Sequence, residues 1–273
     1  MLAQADERLK SRTVLPLYCW KSGTGPLVLG IAGFGCAHWL LRPLAAQLAP
    51  QFTVWLADNR GMGRSPKDDA PFDIEDMAAD ILAIIRHQIG EPVHVLGVSM
   101  GGLIVQSLLT MAPDAIRTAT ILCSTSGGPH FRPLFLYWSL QQMQKVLQMS
   151  PDAYARWILE PIVSPSLAAY PEAYDFMLQH RLAHPEDLRQ VMAQYHAMSR
   201  FFLKPLDLGA VKTPVLVACG EQDPVFPVAN SQLMARMLPN GELITFPNTD
   251  HLFFVEKPGE VGQAILEFLA RHV

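Results

Sequence analysis

The sequence predicts an α/β fold with a mostly parallel β-sheet that is covered by helices on both faces. Short, continuous apolar runs of strand length alternate with segments of helical periodicity, and the runs end in glycine-rich or polar loops. Strands buried on both faces of a parallel sheet are apolar throughout, because helices cover them on either side. Ligands of such sheets bind beyond the carboxyl ends of the strands.

Length and composition narrow the class of protein. The 273 residues are enough for one large α/β domain or two small ones. Half of them are hydrophobic and 17% are charged, which favours a compact globular protein over a disordered one. The net charge is -4 and no block of Lys or Arg occurs, so neither nucleic acid nor an anionic membrane surface is an expected partner. A small molecule is the expected partner, and the oligomeric state is not predicted.

Targeting signals and cofactor motifs are not recognised. The first ten residues are charged and lack an apolar core, so we expect no signal peptide. The longest apolar tract, Pro26 to Leu41, is interrupted by glycines and a histidine, which argues against a membrane span. Neither GxGxxG nor GxxxxGK[ST] occurs, and we expect no cofactor. Four widely spaced cysteines fit no metal site and indicate a reduced, cytoplasmic protein: Cys19, Cys36, Cys123 and Cys219.

The first half of the chain alternates strands and helices. The predicted strands are Arg12 to Trp20, Leu27 to Ala32, Phe52 to Ala57, Val93 to Val98 and Thr118 to Cys123. The predicted helices are His38 to Leu48, a segment from the N-cap Asp73 to His87, and Leu103 to Met111.

The β pattern disappears from about Gly127 to Leu203 and is replaced by helical segments rich in aromatic residues and Met. They are Pro133 to Met149, Asp152 to Leu159, Glu172 to His180 and Glu186 to Phe202. We interpret residues 127–203 as a helical cap over the strand ends, inserted into a core of residues 1–126 and 204–273. An ordinary helical subdomain with no role in a site is the alternative. The βα pattern resumes with strands Pro214 to Ala218 and Glu242 to Phe246 and helices Val228 to Met237 and Glu260 to Arg271.

Ser99 lies in a GxSxG motif between a predicted strand and a predicted helix. This strand, sharp turn and helix is the context of a nucleophile elbow, in which small residues let the helix pass close to the strand. Gly97, Gly101 and Gly102 supply those small residues. The motif alone is weak, since chance produces it in roughly one chain in ten of this length. Its flanking elements strengthen it.

A serine nucleophile needs a histidine base and a carboxylate that orients the base. In folds with this elbow the three follow in the order Ser, acid, His. His251 follows the last predicted strand, whereas His272 is next to the C-terminus, so His251 is the predicted base. Asp223 follows a strand through a turn and is the predicted acid. Asp250 is the rival, but a residue adjacent to the base has difficulty reaching the Nδ1 atom of that ring.

An oxyanion hole requires two backbone N–H groups, one from the residue after the nucleophile and one from the loop after an early strand. Met100 and Phe34 are the predicted donors. Gly33 and Gly35 flank Phe34, and a plain tight turn is the alternative interpretation of these glycines. The predicted substrate-binding residues are the same Phe34 and Met100 and, in the cap, Tyr137, Trp138 and Trp157.

No metal site is predicted. His180 and His184 lie four residues apart on a predicted helix but lack an HExxH motif, so we expect solvent-facing side chains. Arg60 and Arg64 are expected to brace their loop rather than to bind an anion.

These motifs resemble the α/β-hydrolase superfamily from about Arg12 to the C-terminus, apart from the variable cap. The specific marks are Ala32 to Gly35, Asp58 to Ser65, Gly97 to Gly102, Gly220 to Pro224 and Asp250 to Phe254. Within the superfamily the chain is most similar to small carboxylesterases, oxoadipate enol-lactonases and ring-fission C–C hydrolases. The resemblance implies an eight-stranded, mostly parallel sheet. Many relatives have His-Gly at Ala32-Gly33, so one loop-bracing side chain is missing here.

The resulting hypothesis is a serine hydrolase that cleaves esters of small to medium, fairly hydrophobic substrates. Lactone opening, thioester cleavage and C–C hydrolysis use the same triad and remain alternatives, as does acyl transfer. A ligand receptor without catalytic activity is the alternative from a different class.

Overall fold

The computed structural model describes residues 13–128, 138–162, 170–204 and 206–273. Its strands are β1 (Cys19–Ser22), β2 (Leu27–Ile31), β3 (Thr53–Ala57), β4 (Val93–Val98), β5 (Ile116–Leu122), β6 (Val215–Gly220) and β7 (Gly241–Phe246). Its α-helices are α1 (Arg42–Leu48), α2 (Ile74–Ala83), α3 (Met100–Met111), α4 (Leu140–Val146), α5 (Pro151–Leu159), α6 (Pro171–Ala183), α7 (Leu188–Leu203), α8 (Val228–Met237), α9 (Phe253–Glu256) and α10 (Pro258–Ala270).

The described strands form one sheet in the order β1-β3-β2-β4-β5-β6-β7. β1 pairs antiparallel with β3, and all other neighbouring strands are parallel. Every residue of β4 and of β6 is buried, as expected of central strands with helices on both faces. The predicted α/β-hydrolase architecture is therefore confirmed.

The sheet has seven strands within the described residues, not the expected eight, and the strand predicted from Arg12 to Trp20 begins only at Cys19. Side chains of helix α2 and of the loop after β3 accept hydrogen bonds from backbone N–H groups that precede it. The Leu15 amide donates to Asp80 Oδ1 (2.8 Å), and the Tyr18 amide donates to Ser65 Oγ (2.9 Å). These bonds replace a strand ladder in this segment.

The helices of the core agree with the predicted order and depart from it in detail. The segment His38–Leu41 is a 3-10 helix that leads into α1, and α2 continues as a π-helix over Ile84–Ile89. That helix ends at Gly90, whose φ of 83° is the left-handed conformation that favours glycine. The short helix α9 after the His251 loop was not predicted.

Four α-helices, α4 to α7, lie between β5 and β6 in the described part of the chain. Ser139 and Ser150 cap α4 and α5, because their hydroxyls accept the amides of Gln142 and Ala153. The first residues of the helix predicted from Pro133 lie outside the described residues. Helix α7 packs against α2 and α3, which brings it close to the nucleophile motif. The division into core and cap stays a prediction.

In the described residues, none of the helices is both long enough and apolar enough to cross a lipid bilayer.

Candidate active site

Ser99 is the single residue between β4 and α3, and its backbone is strained. Its φ of 54° and ψ of -113° are a conformation that non-glycine residues rarely adopt and that costs about 1–3 kcal/mol. Hydrogen bonds hold the residue in place: its amide donates to Leu122 O (2.8 Å), and its carbonyl accepts from Ser124 Oγ (2.8 Å) and the Gly102 amide (2.9 Å). The predicted elbow geometry is therefore present at Ser99.

The glycines of the motif allow the strand and the helix to approach each other. A Cβ atom on Gly97 would lie 2.3 Å from the carbonyl oxygen of Gly101, and one on Gly101 would lie 2.3 Å from the carbonyl oxygen of Ile31. Both distances are shorter than any tolerated contact with backbone. Side chains at these positions would force the nucleophile away from the sheet.

His251 lies in the loop after β7, 152 residues from the nucleophile. Its Nε2 atom is 3.1 Å from Ser99 Oγ, which is hydrogen-bond distance. The ring is buried, whereas Ser99 is half-buried. This geometry allows the imidazole to accept the serine proton.

Asp223 lies beyond the end of β6 and contacts the other side of the same ring. Its Oδ2 atom is 2.8 Å from His251 Nδ1. Its Oδ1 atom accepts the amides of Val225 (2.8 Å) and Phe226 (2.9 Å), which fix the orientation of the carboxylate. The rival Asp250 accepts the Leu252 amide instead (2.8 Å).

Phe34 and Met100, the predicted oxyanion donors, lie on either side of Ser99. Met100 is the first residue of α3 and is fully buried. On the other side, a Cβ on Gly33 would lie 3.4 Å from Ser99 Cβ, so the loop that carries Phe34 packs directly against the nucleophile. The carbonyl of Ala32 accepts a hydrogen bond from Asn59 Nδ2 (3.0 Å), which braces the loop just before Gly33.

A cavity enclosing about 590 Å³, including its opening to solvent, lies over Ser99 and His251. Its walls are largely apolar, and the segment predicted as a cap contributes Ile158, Ile162, Met177 and Met198. These four residues were not predicted, because an apolar residue in a helical segment or a turn has the same sequence signature whether it faces a cavity or the core.

In the segment predicted as a cap, the described aromatic residues that were predicted to bind substrate do not lie in the wall of this cavity. Trp138 packs edge-on against Phe34 (ring centroids 5.8 Å apart), contacts Trp157 (5.2 Å) and stacks on Tyr195 (4.5 Å). Trp138 and Trp157 are not among the residues that line the cavity. Trp138 therefore supports Phe34, and Trp157 in turn packs against Trp138. The third predicted residue, Tyr137, lies outside the described residues.

A thiol lies beside the acid and the histidine. Potential ligand atoms of Cys123, Asp223 and His251 all lie within 4.8 Å of one another, and they form the one such group of three in the described residues. Burial raises the pKa of the Cys123 thiol well above its usual value of 9.0. The thiol therefore keeps its proton at neutral pH, which makes it a poor metal ligand.

The other charged candidates have structural contacts. Arg60 is buried and forms a two-point ion pair with Asp80, from Nε to Oδ2 (2.7 Å) and from Nη2 to Oδ1 (2.8 Å). Arg64 lies over the Tyr18 ring. His180 was expected to face solvent, but it is half-buried and stacked on the Trp39 ring. His184 is exposed.

A family model described as the alpha/beta hydrolase fold matches residues 26–258. The chain belongs to this family, as its motifs predicted. The fold alone does not define the reaction, because one fold supports many reactions.

Individual relatives differ in the activities that their names state. BpoC of Mycobacterium tuberculosis, named as a non-heme bromoperoxidase, is 29% identical over 253 residues, which cover 91% of this chain and 95% of that protein. Its crystal structure superimposes with a TM-score of 0.81, at 28% identity over 96% of this chain and 98% of that one. The carbamate hydrolase RutD of Azorhizobium caulinodans is 26% identical over 92% of this chain and 94% of that protein. A pimeloyl-acyl-carrier protein methyl ester esterase of Chromobacterium violaceum is 25% identical over 90% and 95%.

Proposed function

We propose that this protein is a serine hydrolase that cleaves carboxylic esters through an acyl-enzyme intermediate. One observation carries the proposal: the His251 ring lies within hydrogen-bond distance of Ser99 Oγ (3.1 Å) on one side and of Asp223 Oδ2 (2.8 Å) on the other. Three residues remote in sequence form a connected relay at the strand ends, where a nucleophile, a base and an orienting acid are required.

In the proposed reaction, Ser99 Oγ attacks the ester carbonyl while His251 Nε2 takes the hydroxyl proton. Asp223 holds the ring in the required tautomer and stabilises the imidazolium that forms. The backbone N–H groups of Phe34 and Met100 donate to the oxyanion, and removing one donor of this kind costs about 3–4 kcal/mol of transition-state stabilisation. His251 then protonates the departing alcohol. Water, activated by the same ring, releases the acid and restores the serine.

The cavity favours substrates of a definite kind. Its walls are mostly apolar, which favours a small or medium hydrophobic acyl or alcohol group. A methyl ester esterase and a carbamate hydrolase are among the relatives, and both names describe hydrolysis at a carbonyl bearing a heteroatom. Lactones, thioesters and vinylogous diketones stay alternatives, because the same three residues serve each of these bonds.

A panel of nitrophenyl esters of increasing acyl length tests the proposal. We expect Ser99→Ala to lose essentially all activity, and Ser107→Ala, a buried serine two turns along the same helix, to retain it. A Ser99→Ala protein as active as the parent would exclude the mechanism. Labelling by a fluorophosphonate separates an enzyme from a receptor, since an unactivated serine does not react. Lactone, thioester and diketone substrates, together with an added alcohol acceptor, identify the preferred bond.

A further inference from the structure

Gly35, the residue that follows Phe34, is where the helices between β5 and β6 contact the oxyanion loop. Gly35 has two polar backbone groups, and both bond to side chains of those helices. Its N–H donates to Gln194 Oε1 on α7 (3.0 Å), and its carbonyl accepts from Arg181 Nη1 on α6 (2.9 Å). The local geometry of the loop therefore depends on residues about 150 positions later in the chain.

Both side chains are enclosed by protein. Gln194 is 0% and Arg181 is 2% exposed. A hydrogen bond lost in such surroundings leaves a buried polar group without a partner, which is unfavourable because water cannot replace the missing partner. Gln194 also reaches the loop after β3, because its Nε2 atom donates to the carbonyl of Arg60 (3.4 Å). One amide thus links α7 to two loops of the core.

The guanidinium of Arg181 makes further contacts beside Gly35. Its Nη2 atom contacts Cys36 Sγ (3.1 Å), next to Gly35, and Nη1 lies 3.6 Å from Glu186 Oε1, which offsets the charge. Arg181 therefore holds two successive residues of the loop.

A third helix closes on the same glycine. A Cβ on Gly35 would lie 3.4 Å from Tyr154 Oη on α5 and 3.8 Å from Val191 Cγ2 on α7. The φ of Gly35 is 57°, which L side chains rarely adopt. Helices α5, α6 and α7 thus converge on one residue of the loop.

The other end of the loop is anchored by the core. Asn59 donates to the carbonyl of Ala32, as described above, and the Cys36 amide donates to the carbonyl of Gly33 (3.3 Å). Phe34 lies between this anchor and the bonds to Gly35. The direction of its N–H group is therefore set from both sides.

We propose that Gln194 and Arg181 are positioning residues that hold the Phe34 amide in the oxyanion hole, so that the hole is complete only when α6 and α7 are seated on the core. The inference rests on the proposed ester hydrolysis. Moving a donor by a fraction of an ångström weakens its bond to the oxyanion more than any contact with the bound ester. Loss of the anchor lowers kcat and leaves KM nearly unchanged.

Gln194→Met tests this role, since it keeps the size of the side chain and removes its polar atoms. The chain offers a matched control one turn earlier on the same helix. Gln190 is also buried, and its amide accepts the Asp68 amide (3.1 Å) and donates to the Asp68 carbonyl (2.9 Å), away from the oxyanion loop. Gln190→Met removes equivalent bonds between α7 and the core.

For Gln194→Met we expect kcat to fall about 10-fold and KM to change less than about twofold, since displacing a donor costs less than the 10²–10³ that removing one costs. Inhibition by phenylboronic acid, which forms a tetrahedral adduct with the serine, should weaken by the same factor as kcat. Gln194→Glu retains an acceptor for the Gly35 amide and should recover most of kcat. Gln190→Met should change kcat less than about twofold.

A Gln194→Met enzyme with kcat within twofold of the parent, or a Gln190→Met enzyme with an equal loss, would overturn the inference. Should Gln194→Met not fold, Gln194→Asn applies the same test, since its shorter side chain does not reach Gly35. The proposed function fails separately: a parent protein without Ser99-dependent ester hydrolysis would refute that function, whereas an active parent with an indifferent Gln194 refutes only the positioning role.

Discussion

The carboxylate of Asp223 contacts His251 with one oxygen and accepts two backbone amides with the other. Oδ2 lies 2.8 Å from Nδ1 of the ring, and Oδ1 accepts the amides of Val225 and Phe226. The two oxygens therefore have different partners. This difference predicts which way the side-chain amide of an asparagine would be oriented at position 223.

Asp223→Asn is expected to lower kcat by about 10⁴, the size of the loss when a triad aspartate of a serine protease is replaced in this way. The amides of Val225 and Phe226 hold the carbonyl oxygen of the asparagine, so its NH₂ group faces His251 Nδ1. The ring then carries its proton on Nε2 and cannot accept the proton of Ser99. Steady-state kinetics with a nitrophenyl ester measure the loss.

Asp250→Asn is the control for that experiment. Asp250 precedes the histidine and was the rival acid, but its Oδ1 atom accepts the Leu252 amide, a bond that an asparagine carbonyl keeps. We expect kcat to fall less than about 10-fold. Equal losses in the two variants would contradict the assignment of Asp223.

The strained backbone of Ser99 predicts the relative stability of two inactive variants. Glycine tolerates a φ of 54° with a ψ of -113°, whereas alanine retains the strain of about 1–3 kcal/mol. The greater freedom of glycine in the unfolded chain offsets about 0.5–1 kcal/mol of that gain. Ser99→Gly should therefore be more stable than Ser99→Ala by about 1 kcal/mol in urea unfolding.

The same pair of substitutions at Ser107 should show the opposite order. Ser107 lies inside α3, where glycine is less favourable than alanine by about 1 kcal/mol. If Ser99→Gly were the less stable of its pair as well, the backbone of the nucleophile would not be strained.

Gly97→Ala is expected to destabilise the protein by about 3 kcal/mol or more and to reduce its activity. The new methyl group would lie 2.3 Å from the Gly101 carbonyl oxygen, which belongs to the backbone and cannot move aside as the end of a flexible side chain could. Gly259→Ala is the control, because nothing lies within 4 Å of its Cβ position near the start of α10. We expect that variant to be neutral or up to about 1 kcal/mol more stable. Similar unfolding free energies for the two variants would refute the close approach.

The sequence was most informative where chemistry and chain order constrain each other. Ser99, Asp223 and His251 were selected because a nucleophile elbow demands an acid and a base in that order, and the structure places the three side chains in contact. Trp138 and Trp157 were selected only as aromatic residues on helices. Periodicity defines a buried face but not what that face packs against, so the packing of Trp138 on Phe34 and of Trp157 on Trp138 was not predictable.

Contacts between distant segments were beyond the reach of sequence patterns. The bonds from Arg181 and Gln194 to Gly35 depend on how the helices dock on the core, which no local spacing encodes. The first strand begins later than predicted for a related reason. Its apolar residues are of strand type, but remote partners such as Asp80 compete for the backbone amides.

The buried histidine of β4 predicts a loss of stability in acid. His94 is 1% exposed, its Nδ1 atom bonds to Thr118 Oγ1 (2.8 Å), and burial lowers its pKa from 6.5 to about 4. The unfolded chain takes up this proton below pH 6.5 and the folded protein only near pH 4. This contribution is therefore fully present above pH 6.5 and is lost as the pH falls to 4, by about 2 kcal/mol at pH 5.

His94→Asn, which retains a polar group for Thr118, should lose about 2 kcal/mol less than the parent between pH 7 and pH 5 in urea unfolding. His87→Asn removes an exposed histidine and should follow the parent at both pH values. If His94→Asn lost as much stability as the parent over this interval, His94 would not be held neutral by the fold.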